Sequence, residues 1–280
     1  MVRSVLFAVL LFAQSLCMAQ APDISGDPEI KWNGPIKSVV QTTLVTREAT
    51  SKMRMVTVKH YNRSGQMTEK TTEVTGPELF SGHKVLYRYD GHGREIERRF
   101  YMHPIMDTRK DFALSTVTIY KYHDNGKWFE ALHTHYNSTD TSRIVDQYMY
   151  DEQGFLVKQT SSGFFTKANG ADWEHVYRKI DNNTIELVSK GSKCIYILSD
   201  DGLVVERRWH KGLTDEVYQR QTCRHERGRL VEKITYSGDT AETVYSIKYE
   251  SPDEAGNYTR ALGYDKGQPM HVTEYKFEYY

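Results

Sequence analysis

The chain is poor in cysteine and proline, carries no excess of one charge, and has no long hydrophobic run beyond its first residues. Three cysteines in 280 residues cannot build a disulfide framework. Lys+Arg and Asp+Glu stand at 37 each, so there is no net basic charge to draw nucleic acid or an anionic membrane surface. No stretch holds the 3.6-residue period of a helix, and no segment after residue 19 is apolar for long enough to cross a bilayer as a helix. Also missing are the G-x-S-x-G elbow, the phosphate-binding glycine loop, the dinucleotide fingerprint and the H-E-x-x-H zinc motif. Without them no reaction class is singled out and no cofactor is expected.

The chain does contain an N-terminal leader pattern. Arg3, an apolar run from Val5 to Ala13, and Cys17-Met18-Ala19 before Gln20 have the three parts of a secretory signal peptide. Cleavage near Ala19 is expected, giving a signal peptide at 1–19, a Pro- and Gly-bearing extended leader at 20–35, and a single domain over 36–280. The expected location is periplasmic, cell-surface or secreted.

The dominant feature is a repeat: a tyrosine pair, an acidic turn, a glycine, then an apolar pair and usually a glutamate. Tyr87 through Glu97 and Tyr148 through Lys158 are the best copies. The turn glycines are Gly65, Gly93, Gly126, Gly154, Gly202, Gly228 and Gly256, most of them about 28 residues apart. A degenerate copy with Asp181-Asn182-Asn183 fills the one wide gap, making eight turns. Asn62, Asp90, Asp151 and Asp253 stand three residues before their glycine. An Asx side chain there opens a type I turn, and glycine supplies the positive φ that closes a bulged hairpin.

This geometry predicts that the residue four before the glycine faces the residue two after it. The expected pairs are Tyr61–Met67, Tyr89–Glu95, Tyr122–Trp128, Tyr150–Leu156, Leu198–Val204 and Arg224–Leu230. Glu97, Glu130 and Glu206 are expected opposite Tyr87, Tyr120 and Tyr196. The tyrosine face varies least between copies and is expected to be the inner one. Cys194 lies eight residues before its glycine and Cys223 five before its own, which places them on opposite faces, unpaired.

The glycine turns lie at one end of the sheet, and the connections at the other end vary in length. In repeat proteins that variable side is often the binding side. Phe164, Phe165 and Trp173 in the long loop there, with Tyr122 and Trp128 as an aromatic platform, are the candidate binding residues. His133 and His135 share one strand face and could supply two metal ligands, although no third is identifiable and no metal is expected. Glutamates that recur once per unit point to a structural ladder, whereas catalysis needs one special pair.

The pattern Tyr-x-Tyr-Asp-x-x-Gly resembles the YD repeats of Rhs proteins, and is similar to MORN-like repeats of small exported bacterial proteins. The C-terminal Tyr264-Asp265-Lys266-Gly267-Gln268-Pro269 looks like the closing segment of small secreted YD-repeat proteins of Bacteroidota. The resemblance implies an antiparallel sheet that curls, and it transfers no catalytic residues. The expected fold is all-β, a curled open antiparallel meander of about eight two-strand units. The expected function is a non-enzymatic binding or structural module of the cell envelope, its partner an envelope protein, peptide or glycan. Two alternatives stand beside it: an envelope- or polysaccharide-directed hydrolase with its site in the long loops, and an outer-membrane β-barrel.

Overall fold

The computed structural model describes residues 32–45, 53–76, 80–103, 112–123, 128–136, 141–163 and 173–280. Within them run eighteen strands. The first nine are β1 (Ile36–Val45), β2 (Met53–Tyr61), β3 (Met67–Thr75), β4 (Phe80–Tyr89), β5 (Glu95–Met102), β6 (Ala113–Tyr122), β7 (Trp128–Tyr136), β8 (Thr141–Tyr150) and β9 (Leu156–Gly163). The second nine are β10 (Trp173–Lys179), β11 (Thr184–Ser189), β12 (Ser192–Leu198), β13 (Val204–His210), β14 (Val217–Glu226), β15 (Arg229–Ser237), β16 (Thr240–Pro252), β17 (Tyr258–Asp265) and β18 (Gln268–Tyr279).

Each strand pairs antiparallel with its neighbours in sequence, and β1 pairs with both β2 and β18. The sheet is therefore a closed eighteen-stranded barrel and not the expected open meander. Closure leaves no unpaired sheet edge to template aggregation. The seam runs from Ile36↔Tyr279 to Val45↔His271. It is fastened inside by the Thr43 and Thr273 hydroxyls at 2.9 Å and outside by Lys37–Glu278 at 2.6 Å.

The hairpin turns form as their side chains dictate. Asp90 Oδ1 accepts from His92 N and Arg94 N, both at 2.9 Å, and Asp151 Oδ1 accepts from Gln153 N and Phe155 N. Asn62 and Asp253 act likewise. Gly65, Gly93, Gly154, Gly202 and Gly256 all have φ between 78° and 82°. At Gly202 the turn is opened by Ser199, whose Oγ accepts from Leu203 N. Gly126 lies outside the described residues.

Tyr61↔Met67, Tyr89↔Glu95, Tyr150↔Leu156 and Leu198↔Val204 pair as expected. Tyr122 instead faces Phe129, and Trp128 faces Met149 on the next strand. Leu230 faces His225, and Arg224 faces Glu232. The reason at Gly228 is a shorter turn: Arg227 and Gly228 both take positive φ (51° and 74°), a two-residue hairpin closed by Glu226↔Arg229. Losing one turn residue shifts β14 by one position, so Cys223 faces inward like Cys194. Both cysteines are buried and neither forms a disulfide. β13 lies between their strands, which alone sets those strands about 10 Å apart, and Cys223 lies four residues farther along β14 than the position level with Cys194, so the two are beyond disulfide reach.

The repeated glutamates also differ from expectation. The β4–β5 and β12–β13 hairpins bulge just after their first cross-strand pair, and the extra residue moves the glutamate to the other face. Glu97 therefore opposes Arg88 and not Tyr87, and Glu206 opposes Ile197 and not Tyr196. On β7, Glu130 opposes Lys121 and Ala131 opposes Tyr120. The recurrent glutamates form an outward ladder of cross-strand ion pairs, such as Arg88–Glu97 at 2.6 Å and Arg178–Glu186 at 3.2 Å. The positions opposite Tyr87 and Tyr196 fall to arginine: Arg98 lies over Tyr87 at 5.3 Å and Arg207 over Tyr196 at 5.5 Å.

The tyrosine face is the inner face. Tyr148, Tyr177, Tyr196 and Tyr275 are all buried there. One core cluster, from β7 to β13, gathers Phe129, Tyr148, Leu156, Tyr177, Ile185 and Tyr196, with Phe129 and Tyr148 stacked at 4.4 Å. A second joins β1, β17 and β18 through Ile36, Val39, Ala261 and Tyr275, with Trp32 packed onto it.

Candidate functional site

Beyond the tyrosine rows, toward the end opposite the glycine turns, the inner wall becomes polar. Strand alternation sends Ala131, His133 and His135 of β7 inward together. Thr118 and Thr116 of β6 stand directly opposite the two histidines, and each hydroxyl meets an Nδ1, at 2.9 Å for His133 and 3.0 Å for His135. On the other side, β8 brings Asp146 opposite Ala131 and Ser142 opposite His135. β9 then places Ser161 opposite Asp146 and Gln159 opposite Tyr148, and β10 sets Trp173 against Ser161 and His175 against Gln159.

The centre of this patch is the approach of His133 Nε2 to Asp146 Oδ2 at 3.2 Å, a diagonal contact between β7 and β8. The carboxylate is 4% exposed as a residue. The approach is not a hydrogen bond, so His133 Nε2 has no hydrogen-bond partner, and the other carboxylate oxygen, Asp146 Oδ1, has none either. Ser142 Oγ and His175 Nδ1, on the same wall, are likewise buried without one. Four such atoms on three nearby strands are unusual, because buried polar atoms are as a rule paired.

The surroundings disfavour the charged form of two of the imidazoles, His135 and His175. Burial lowers the pKa of His135, and His133 beside it adds to the shift while Asp146 opposes it. Burial also lowers that of His175, again against Asp146 and helped by Lys190. Trp173 packs on His175 at 4.5 Å between centroids, and the His133 and His135 rings lie 6.4 Å apart, nearly parallel.

His133 and His135 share a face as expected, yet no group of three His, Cys, Asp or Glu that could hold a metal occurs among the described residues. Trp173 lies on the inner wall beside this cluster. Tyr122 lies elsewhere: its hydroxyl donates to Glu95 O at 2.9 Å and its ring sits under Arg94 at 4.8 Å. Trp128 begins β7 at the opposite end of that strand from His135. Phe164 and Phe165 lie outside the described residues. Asp146 escapes a reading of the sequence because it belongs to no repeat position. The signal that could have found it is the register carried from Gly154 back along β8, which turns Asp146 inward.

The patch can bind by hydrogen bonding and ring stacking. A Thr–His–carboxylate line would serve acyl transfer only if backbone N–H groups were free to hold an oxyanion. Here it sits within continuous strand ladders that engage those groups.

No family model and no curated protein matches the chain. Among solved structures, a porin-like protein from Bacteroides uniformis is similar at 10% identity and a TM-score of 0.44, over 88% of this chain and 98% of that one. A TcdB2–TccC3 chain is similar at 12% identity and a TM-score of 0.28, over 82% of this chain; the matched part is only 16% of that much longer chain. At such scores neither likeness carries a function across, and the YD-repeat resemblance rests on the hairpin unit alone.

Proposed function

We propose that this chain is an exported, non-enzymatic binding barrel of the cell envelope that works in water and takes its ligand at the inner polar patch around His133 and Asp146. Removal of residues 1–19 would leave the leader at 20–35 and one domain over 36–280. The observation that carries the reading is the chemistry of the outward face. Charged residues stand outward along the strands: Arg99 beside Leu86, Glu130 beside Lys121, Glu186 beside Arg178, Arg208 beside Arg220 and Lys248 beside Leu262. A barrel in lipid needs an apolar band there, and each Arg or Lys at the bilayer midplane costs about 2–4 kcal/mol. A handful would consume a typical total stability of about 5–15 kcal/mol.

Ring closure, an even number of antiparallel strands, and short glycine turns at one end favour the second reading, an outer-membrane β-barrel. The two separate cleanly. The chain from Gln20, prepared without detergent, is expected to stay soluble and to remain with the aqueous phase when mixed with phospholipid vesicles. Recovery only in detergent, or flotation with the vesicles, would establish the membrane barrel instead.

A further inference from the structure

We infer that residues 20–31 dock inside the barrel at its glycine-turn end, with the carboxylates of Asp23, Asp27 and Glu29 against a basic stretch of the inner wall. The first ground is where the chain enters. Strand alternation sends Tyr275 and Phe277 of β18 inward together with Thr273. Trp32 packs on both rings, at 5.3 and 5.0 Å between centroids, and Arg229 reaches over it from β15 at 5.1 Å. Asn33 is tied to Asn257 beside the last glycine turn. Trp32 therefore lies on the inner side of the wall, and residues 20–31 continue from that point. Barrels of about 16–18 strands are too wide for their own side chains to fill, which leaves room inside for such a segment.

The second ground is the charge of the wall that Trp32 joins. Arg229 is buried among the rings of Trp32, Tyr249 and Tyr258 and makes no ion pair with a described residue. A buried cation without an anion is costly, so a carboxylate beside it is strongly favoured. Lys233 follows it inward on β15, opposite Cys223. Beyond the seam, Lys59 stands opposite the buried Val39 and also directly opposite Lys70. Like charges placed that way repel, and an anion beside them turns the repulsion into attraction. From β15 round to β3, the inward strand positions nearer the glycine turns carry these four cations and no Asp or Glu among the described residues.

The third ground is the segment itself. Residues 20–31 hold Asp23, Asp27 and Glu29 against the single base Lys31. At about 3.3 Å per residue, Glu29 has about 10 Å of chain between it and Trp32, and Asp23 about 30 Å. Glu29 is thus within reach of Arg229. Asp23 can cross the few strand spacings of about 4.8 Å each that lead to Lys59 and Lys70. The inference rests on ring closure and not on the ligand reading.

The test is zero-length carbodiimide coupling of carboxylates to lysines in the dilute chain from Gln20, read by peptide mass spectrometry. The expected result is intramolecular links from Asp23, Asp27 or Glu29 to Lys59, Lys70 or Lys233. Links only to outward lysines such as Lys37 and Lys248, links only between molecules, or no link from the segment would each overturn the inference. A second arm follows cleavage before Asp23 and Asp27 by an aspartate-specific endoproteinase. Cleavage should be slow and should quicken at least tenfold in Lys59→Gln/Lys70→Gln/Lys233→Gln, with circular dichroism showing that the variant folds. Equal rates in the two folded proteins would overturn the inference. Should the variant fail to fold, the crosslinks of the unaltered chain decide alone.

Discussion

Asn33 and Asn257 exchange two hydrogen bonds across 224 residues of sequence: Asn33 N donates to Asn257 Oδ1 at 2.7 Å, and Asn257 Nδ2 donates to Asn33 O at 2.8 Å. The same Nδ2 reaches Tyr279 Oη at 2.9 Å, and Tyr279 Oη donates to Asp253. Asn257 is fully buried. It joins the segment before β1, the last glycine turn and the end of β18 at one corner of the barrel, and so holds Trp32 against Tyr275 and Phe277.

Asn257→Ala is therefore expected to destabilise the barrel strongly. The Asn33 amide and carbonyl and the Tyr279 hydroxyl would lose partners at a partly buried corner, each at up to about 1–3 kcal/mol. With partial relaxation, a net loss of about 3 kcal/mol is expected in urea unfolding. A loss below about 0.5 kcal/mol would show that water replaces the asparagine.

Two glycines separate backbone strain from crowding. At Gly154, with φ of 80°, an added Cβ would meet nothing within 4 Å, so Gly154→Ala should cost only the left-handed penalty of about 1–2 kcal/mol. Gly154→Asn should cost less. At Gly163 a Cβ would collide with the Arg143 carbonyl oxygen, a backbone atom that cannot swing aside. Gly163→Ala should cost about 3 kcal/mol. Equal losses at the two sites would contradict this local geometry.

Acid should weaken the fold before the carboxylates titrate. Burial, assisted by Lys70, lowers the pKa of His83 to about 4. The unfolded chain protonates that residue near pH 6.5, so between about 6.5 and 4 the unfolded state binds the extra proton and stability falls as pH falls. His135, His175 and His271 are lowered too and act in the same direction. His83→Phe, beside the stacked Phe100, should flatten the decline in melting temperature over this range. An unaltered slope would assign it to other groups.

The hairpins are legible in the sequence because their signals are local. Asp90 and Gly93, three residues apart, determine a turn by themselves. The same rule misplaces Glu97, since a bulge adds one residue that spacing does not reveal, and misreads Gly228, since nothing marks Arg227 in advance as a positive-φ residue. Closure is not legible for a different reason. The pairing of β1 with β18 joins the two ends of the barrel domain, and strand alternation in Ile36–Val45 says that the segment pairs without saying with what. The polar patch is half visible: His133 and His135 stand out as a strand pair, whereas Asp146 gains its meaning only from the register of β7 on β8.

The closed ring underlies the inner wall, the absence of edges and the site itself. Its most direct test is a crosslink at the seam, where Thr43 and Thr273 face each other with their hydroxyls 2.9 Å apart. Directly opposed residues of antiparallel strands lie within disulfide reach. In Thr43→Cys/Thr273→Cys, mild oxidation of the dilute protein should yield one intramolecular disulfide, identified by mass spectrometry of the peptide pair spanning residues 43 and 273. Free thiols at both positions, or crosslinks only between molecules, would contradict closure and return the sheet to an open form.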